Sequence, residues 1–280
     1  MAMCLMSGRT TMREAIQENS SDYFGRLVFG SVLLLAGAAI ALVAGGGWHA
    51  GMLAAQAFSG RLPEVFWESL TTLGDERMLL ALMLPFCLRL PRVFWAVLVS
   101  ALLATLLAQS LKWALPMPRP AAVLAADQLV VIGPHRTQRS FPSGHVGLVV
   151  SFAFVWLEYL GWRRALPIVG LAMLAAFSRV AIGAHWPIDV LGGALVGVLA
   201  AWGGLALARR FPWGLRRGVH WSLIGIAVLA VATLPFDGQG YPGSLAFRLA
   251  LCGFGLAGFG REVWRSWFDT GRRGSASDSS

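Results

Sequence analysis

The sequence predicts an all-α fold: a polytopic transmembrane helix bundle with six core spans and two extra C-terminal spans. Three observations predict it. Of the 280 residues, 56% are hydrophobic and only 13% charged, whereas a soluble domain is about a quarter charged. A soluble chain must cover its outside with polar groups, and a bilayer removes that requirement. The apolar residues also gather into runs near the ~20 residues needed to cross the hydrocarbon core. Finally, the basic residues fall in short gaps between those runs and favour every second gap, as membrane topology demands.

The elements follow in order. Residues 1–26 carry Arg9 and Arg13 beside Glu14, Glu18 and Asp22 and read as a cytoplasmic segment ahead of the first span, 27–45. That span is too long for a cleaved signal peptide. The mixed stretch 46–73, with Trp48, Phe66 and Trp67 beside Arg61, Glu64 and Glu68, reads as an interfacial amphipathic segment. A second span is expected over 74–90, with a short apolar core, and a third over 93–112. Pro116, Pro118 and Pro120 forbid continuation of that helix. Residues 113–142 form a polar loop in which His135, Arg136 and Arg139 read as solvated. Spans four to six fall at 144–161, 165–182 and 187–208. Two more, 219–235 and 243–260, make a C-terminal pair within 209–262, and 263–280 reads as a disordered cytoplasmic tail.

With the N-terminus inside, 15 of the 23 basic residues lie on the inner side. The outer side keeps Arg61, Arg77, Lys112, Arg119, Arg136, Arg139, Arg179 and Arg248. This distribution accounts for the net charge of +9 without nucleic acid, which would call for basic patches on a soluble domain. Cys4, Cys87 and Cys252 are far apart, with no metal-ligand spacing and no disulfide framework. Gly192, Gly193 and Gly197 read as close-packing positions in span six, and His49 and His220 as interfacial side chains. Arg248 has no evident role.

Three clusters fall at span ends on the outer side: Lys112-x6-Arg119-Pro120, Pro142-Ser143-Gly144-His145, and Ser178-Arg179-x5-His185-x3-Asp189. Lys112, Arg119 and Arg179 would repel one another unless an anion sits between them. Arginine offers a planar fork to phosphate oxygens, and lysine a point charge; Lys112 is the chain's only lysine. Ser143 is placed to cap span four, so that the Ser143 and Gly144 amides would form an anion site at a helix N-terminus. The i, i+4 spacing of His185 and Asp189 lets the carboxylate bond one ring nitrogen and leave the other free to attack phosphorus. His145 is then available as the acid for the leaving oxygen.

Together these three motifs resemble the type 2 phosphatidic acid phosphatase (PAP2) family, which shares its site with vanadium haloperoxidases. All three match without substitution, and the resemblance covers roughly residues 66–200, including Leu-Thr-Thr-Leu-Gly-Asp at 70–75. It makes 27–208 the membrane phosphatase core. It implies a phosphohistidine on His185, an acid at His145, and phosphate ligands at Lys112, Arg119, Ser143, Gly144 and Arg179, with no metal or other cofactor. The expected partner is a phosphorylated lipid in the membrane: a polyprenyl diphosphate, phosphatidylglycerol phosphate, phosphatidate or a lipid A phosphate. Phosphoryl transfer to another lipid is the alternative, because the same intermediate serves both. A lipid transporter or flippase would need the cations but not an oriented nucleophile. Halide oxidation fits poorly, since the haloperoxidases are soluble. The oligomeric state is not legible.

Overall fold

Proline opens the two longest internal helices, where its missing N–H costs nothing and its fixed φ suits the first turn. Pro91 begins one and Pro187 the other, and each runs for 24 residues, about 36 Å at 1.5 Å per residue. That length exceeds the ~30 Å hydrocarbon core. The computed structural model describes residues 23–267 with their side chains. Its helices, in chain order, are α1 (Ala2–Gly46), α2 (Met52–Ser59), α3 (Glu64–Thr72), α4 (Glu76–Met83), α5 (Pro91–Ala114), α6 (Pro120–Val123), α7 (Gly144–Leu160), α8 (Trp162–Ala181), α9 (Pro187–Arg210), α10 (Arg217–Ala232) and α11 (Leu245–Ser277). Five helices among the described residues are long and apolar enough to cross a membrane: Tyr23–Gly46, Pro91–Ala114, Trp162–Ala181, Pro187–Arg210 and Pro242–Trp267. Helices α7 and α10 are apolar but shorter. The chain is a multi-pass, all-α integral membrane protein.

Helix α9 is the hub, packed on α1, α5 and α7. Glycine lets its neighbours approach. A Cβ at Gly193 would stand 2.5 Å from the Ser143 carbonyl, and one at Gly197 2.7 Å from the Gly147 carbonyl, so α7 lies directly on the α9 backbone. Gly204 does the same against Ser100 of α5. The outward faces are apolar: Leu34, Leu229 and Met173 are 73%, 71% and 68% exposed, as a lipid-facing surface requires.

The structure corrects four expectations. The span expected over 74–90 is α4, eight residues, followed by a three-residue 3-10 turn at Leu84–Phe86, shorter than the expected span. Pro85 cannot donate to a helical ladder and ends it. This short element is fully buried at Met78, Ala81, Met83 and Leu84, and α10 and α11 cover it. Helix α11 comes close because Gly255 lies on the Ala81 backbone and Gly258 on Pro85. The six-plus-two arrangement is therefore five long helices, two shorter ones and a broken half-helix. Secondly, 46–73 does not simply lie at an interface, because α3 packs on α8 and buries Trp67, Glu68 and Thr71. Thirdly, His220 is buried, with Nε2 3.2 Å from the Cys87 carbonyl and its ring edge-on to Phe94. Fourthly, 263–267 continues α11. The side chains of residues 1–22, Cys4 among them, and of 268–280 lie outside those described. Cys87 and Cys252 are buried free thiols.

Candidate active site

Alternating helix directions bring the ends of α5 and α8 together with the starts of α7 and α9. Lys112 lies in the last turn of α5, Arg179 in the last turn of α8, Ser143 at the N-cap of α7 and Asp189 in the first turn of α9. Four of the expected residues are thus gathered by the fold itself. The proline-rich exit from α5 brings Arg119 to them.

His185 is 2% exposed, and its Nδ1 lies 3.3 Å from Asp189 Oδ2. Asp189 is fully buried, and Oδ2 also accepts from the Trp186 N–H at 2.9 Å and from the Ser140 hydroxyl. The carboxylate is therefore fixed from three sides, and it holds the imidazole by one nitrogen. The ring's backbone is tied as well: the His185 N–H donates to the Arg179 carbonyl at 3.1 Å. Trp186 locks the start of α9, its Nε1 donating to the Pro118 carbonyl at 2.9 Å while His49 stacks on its face at 4.1 Å.

The cations are held by groups that leave their charge intact. Lys112 Nζ donates to the Arg139 carbonyl at 2.7 Å and the Ser140 carbonyl at 3.3 Å. Arg119 donates from Nε to the Gln138 carbonyl at 2.9 Å and from a terminal nitrogen to the Ala184 carbonyl at 3.0 Å. Arg179 donates to the hydroxyls of Thr71 and Tyr241, the latter at 3.3 Å, and its buried Nε has no partner. Among the described residues none of the three forms an ion pair with a carboxylate. All three are buried. Leaving buried charges unneutralised costs several kcal/mol each, so the arrangement calls for an anion.

Burial and the facing Arg179 and Arg136 push the Arg119 guanidinium down to about 10, so it keeps its charge at neutral pH. Burial, reinforced by Arg119, Arg179, Lys112 and His145, holds the His185 imidazole well below its usual range. A ring that resists protonation keeps a nitrogen lone pair available.

One expected donor is placed differently. The Ser143 N–H is already donated to the Asp189 carbonyl at 3.0 Å, so it is not part of an anion cradle. The Ser143 side chain makes no capping bond; its hydroxyl is buried and unpartnered. The donors at this helix start are therefore that hydroxyl and the amides that follow, beginning with Gly144. His145, in the first turn of α7, packs its ring on Gly74, where a Cβ would collide with it. Arg139 has a positive φ of 55°, presents its carbonyl to Lys112 and lays its guanidinium 3.6 Å over the Trp113 ring. Its side chain is exposed, as are those of His135 and Arg136.

Sequence reasoning missed Ser140, Thr71, Gln239 and Tyr241. Thr71 lies in a stretch noticed without a role, and Ser140 precedes a recognised motif. The other two belong to a glycine-rich turn, Gly-Gln-Gly-Tyr, that looks like any loop. No cluster of three or more His, Cys, Asp or Glu side chains able to hold a metal occurs among the described residues.

These features define a helical membrane protein with buried cations grouped around a histidine–aspartate pair. Residues 93–213 match the PAP2 superfamily. The chain is 35% identical over 85 residues to the undecaprenyl-diphosphatase BcrC of Bacillus subtilis, covering 29% of this chain and 40% of that protein. It is 46% identical over 66 residues to the lipid A 4'-phosphatase of Helicobacter pylori, covering 23% and 31%. The chain spans less than half the length of these relatives. The crystal structure of Aquifex aeolicus LpxE matches at 27% identity over 51% of this chain and 85% of that one, with a TM-score of 0.47.

Proposed function

We propose that the protein is a metal-independent lipid phosphatase that cleaves a phosphomonoester or diphosphate through a phosphohistidine on His185. One observation carries the reading: three buried cations without carboxylate partners surround an imidazole whose Nδ1 is held by Asp189. In the first step the free Nε2 attacks phosphorus. The bond to the leaving oxygen breaks, and His145 donates a proton to that oxygen. Asp189 stabilises the charged phosphoimidazole. In the second step His145 takes a proton from water, the water oxygen attacks phosphorus, and the N–P bond breaks to release phosphate. Lys112, Arg119, Arg179, the Ser143 hydroxyl and the Gly144 amide stabilise the equatorial oxygens, commonly the largest catalytic contribution.

A lipid substrate is supported by a groove beside the site. It holds about 430 Å³ and is lined by apolar side chains, among them Leu73, Leu79, Phe86, Phe152, Trp156 and Phe254. Leu73 precedes Gly74, on which His145 packs, and the lining follows α7 from Val149 to Leu160. An acyl or isoprenoid chain lying there would place its head group at the site. The names of the two relatives support polyprenyl diphosphate and lipid A phosphate as the first substrates to try. The arginine distribution puts the N-terminus in the cytoplasm and the site on the opposite face.

The test is phosphate release from a panel of lipid phosphates and diphosphates in detergent with excess chelator. The wild type should release phosphate, and His185→Ala should fall by about 10⁴-fold or more. Undiminished release by His185→Ala from every substrate would end the reading. Release that required a second lipid as acceptor would convert it to a phosphotransferase.

A further inference from the structure

The loop between α10 and α11 reaches the site from outside the family-matched stretch. It is braced with unusual care for a surface turn. Asp237 pairs with Arg77 at 3.2 Å. Gly238 lies on the Arg248 guanidinium, which donates to the Leu234 carbonyl at 2.5 Å and the Ser244 hydroxyl at 3.1 Å. Ser244 in turn donates to the Tyr241 carbonyl at 2.6 Å. Arg248 therefore has a role: buried, it ties both ends of the loop together. Gly240, at φ 85°, packs on Pro134, and the Tyr241 ring lies on Gly133, also at φ 85°. Neither glycine leaves room for a Cβ.

Within this frame Gln239 sits at φ 52°, a left-handed conformation that non-glycine side chains adopt at a cost. Held strain of this kind gathers at functional positions. Its Nε2 donates to Asp75 Oδ2 at 2.8 Å, and Asp75 follows Gly74, on which the His145 ring packs. Two residues on, the buried Tyr241 hydroxyl meets Arg179 at 3.3 Å.

We infer that Gln239 and Tyr241 are positioning residues of the phosphatase site, Gln239 orienting His145 toward the leaving oxygen and Tyr241 aiming Arg179 at the phosphoryl group. This rests on the reading of His185 and His145 above. Because the two residues act through different partners, their losses have different signatures. Without Gln239, proton delivery suffers, which matters for an alkoxide leaving group and little for an aryl oxide that departs unaided. Without the Tyr241 hydroxyl, phosphate binding weakens whatever the leaving group.

The experiment compares kcat/KM on a lipid monophosphate and on an aryl phosphate, with inhibition by orthovanadate, for wild type, Gln239→Gly, Tyr241→Phe and His145→Ala. Glycine suits the positive φ, so Gln239→Gly removes the side chain without adding strain. Gln239→Gly should lose about tenfold or more on the lipid, a fraction of a full general-acid effect, while keeping most aryl activity and vanadate affinity. Added to His145→Ala it should cost nothing further. Tyr241→Phe should lose a few-fold on both substrates, with matching weaker vanadate inhibition. Wild-type values on both substrates for either variant, equal losses on both for Gln239→Gly, or a Tyr241→Phe loss that tracks a lower unfolding temperature with unchanged vanadate inhibition, would overturn the inference. If His185→Ala is inactive in the same assay, such a result leaves the phosphatase reading standing; if His185→Ala is active, that reading itself has failed.

Discussion

Between residues 93 and 213 the chain supplies the groups proposed to act on phosphate, Lys112, Arg119, Ser143, Gly144, His145, Arg179 and His185, and Asp189 behind His185. The flanks, α3–α4 on one side and α10–α11 on the other, supply Thr71, Gly74, Asp75, Gln239 and Tyr241, which hold those groups in place. The flanks also hold each other, since α10 and α11 cover the half-helix α4. The reacting groups sit on long helices whose ends are fixed by the bundle. Their supports come from short segments that could differ while the chemistry stays the same. On the proposed reading the matched core carries the chemistry, and the alignment of the site falls to parts of the chain that the match does not reach.

Substitutions can break or sharpen that contrast. The largest effect is expected in the core. Asp189→Asn should lower kcat by about 10³- to 10⁴-fold, because an amide favours the wrong ring tautomer on His185; steady-state phosphate release measures it. Arg179→Ala and Lys112→Ala should each cost about 10²- to 10³-fold, as loss of one oxyanion donor does. Thr71→Val, which removes only a hydroxyl partner of Arg179 in the flank, should cost far less. Equal losses for Arg179→Ala and Thr71→Val would erase the distinction. Ser143→Ala should lower kcat/KM by about 10²-fold, at the lower end for a hydrogen-bond donor of this kind, with no loss of helix capping, because the hydroxyl makes no cap bond. Gly193→Ala drives a methyl group toward the Ser143 carbonyl and should destabilise the protein by about 1–3 kcal/mol, seen as a lower unfolding midpoint in detergent.

The smallest expected effect is in the pH profile. Burial and three neighbouring cations hold the His185 ring below its usual range, so the neutral nucleophile persists into acid. Removing one of those cations lets the ring protonate at higher pH. Arg119→Gln should therefore move the acid limb of kcat/KM upward relative to wild type on the same substrate. No movement, or movement downward, would remove Arg119 from the field that acts on His185.

The long helices were legible because apolar runs of bilayer length have few other uses. The stretch 74–90 misled for a physical reason. Met78, Ala81, Met83 and Leu84 are apolar because α10 and α11 bury them, and a helix buried in protein has the same composition as one buried in lipid. His220 was misjudged for the same reason: its partner, the Cys87 carbonyl, belongs to that unforeseen half-helix. At the site, three ordered motifs named the eight residues now proposed to act, since the proposed chemistry requires particular side chains at fixed spacings. The use of the Ser143 N–H was hidden, because its acceptor, the Asp189 carbonyl, lies 46 positions away in sequence. Gln239, Tyr241 and Arg248 act through contacts that exist only once α11 has packed, and a turn rich in glycine carries no mark of them.

The central claim is that phosphate becomes covalently attached to one imidazole. The direct measurement is to quench the enzyme during turnover of a ³²P-labelled lipid phosphate and map the labelled peptide by mass spectrometry under alkaline conditions. An acid-labile, alkali-stable phosphoryl group on His185, absent from His185→Ala, is the predicted result. Label on another residue, or turnover with no phosphoenzyme in any of these proteins, would contradict it.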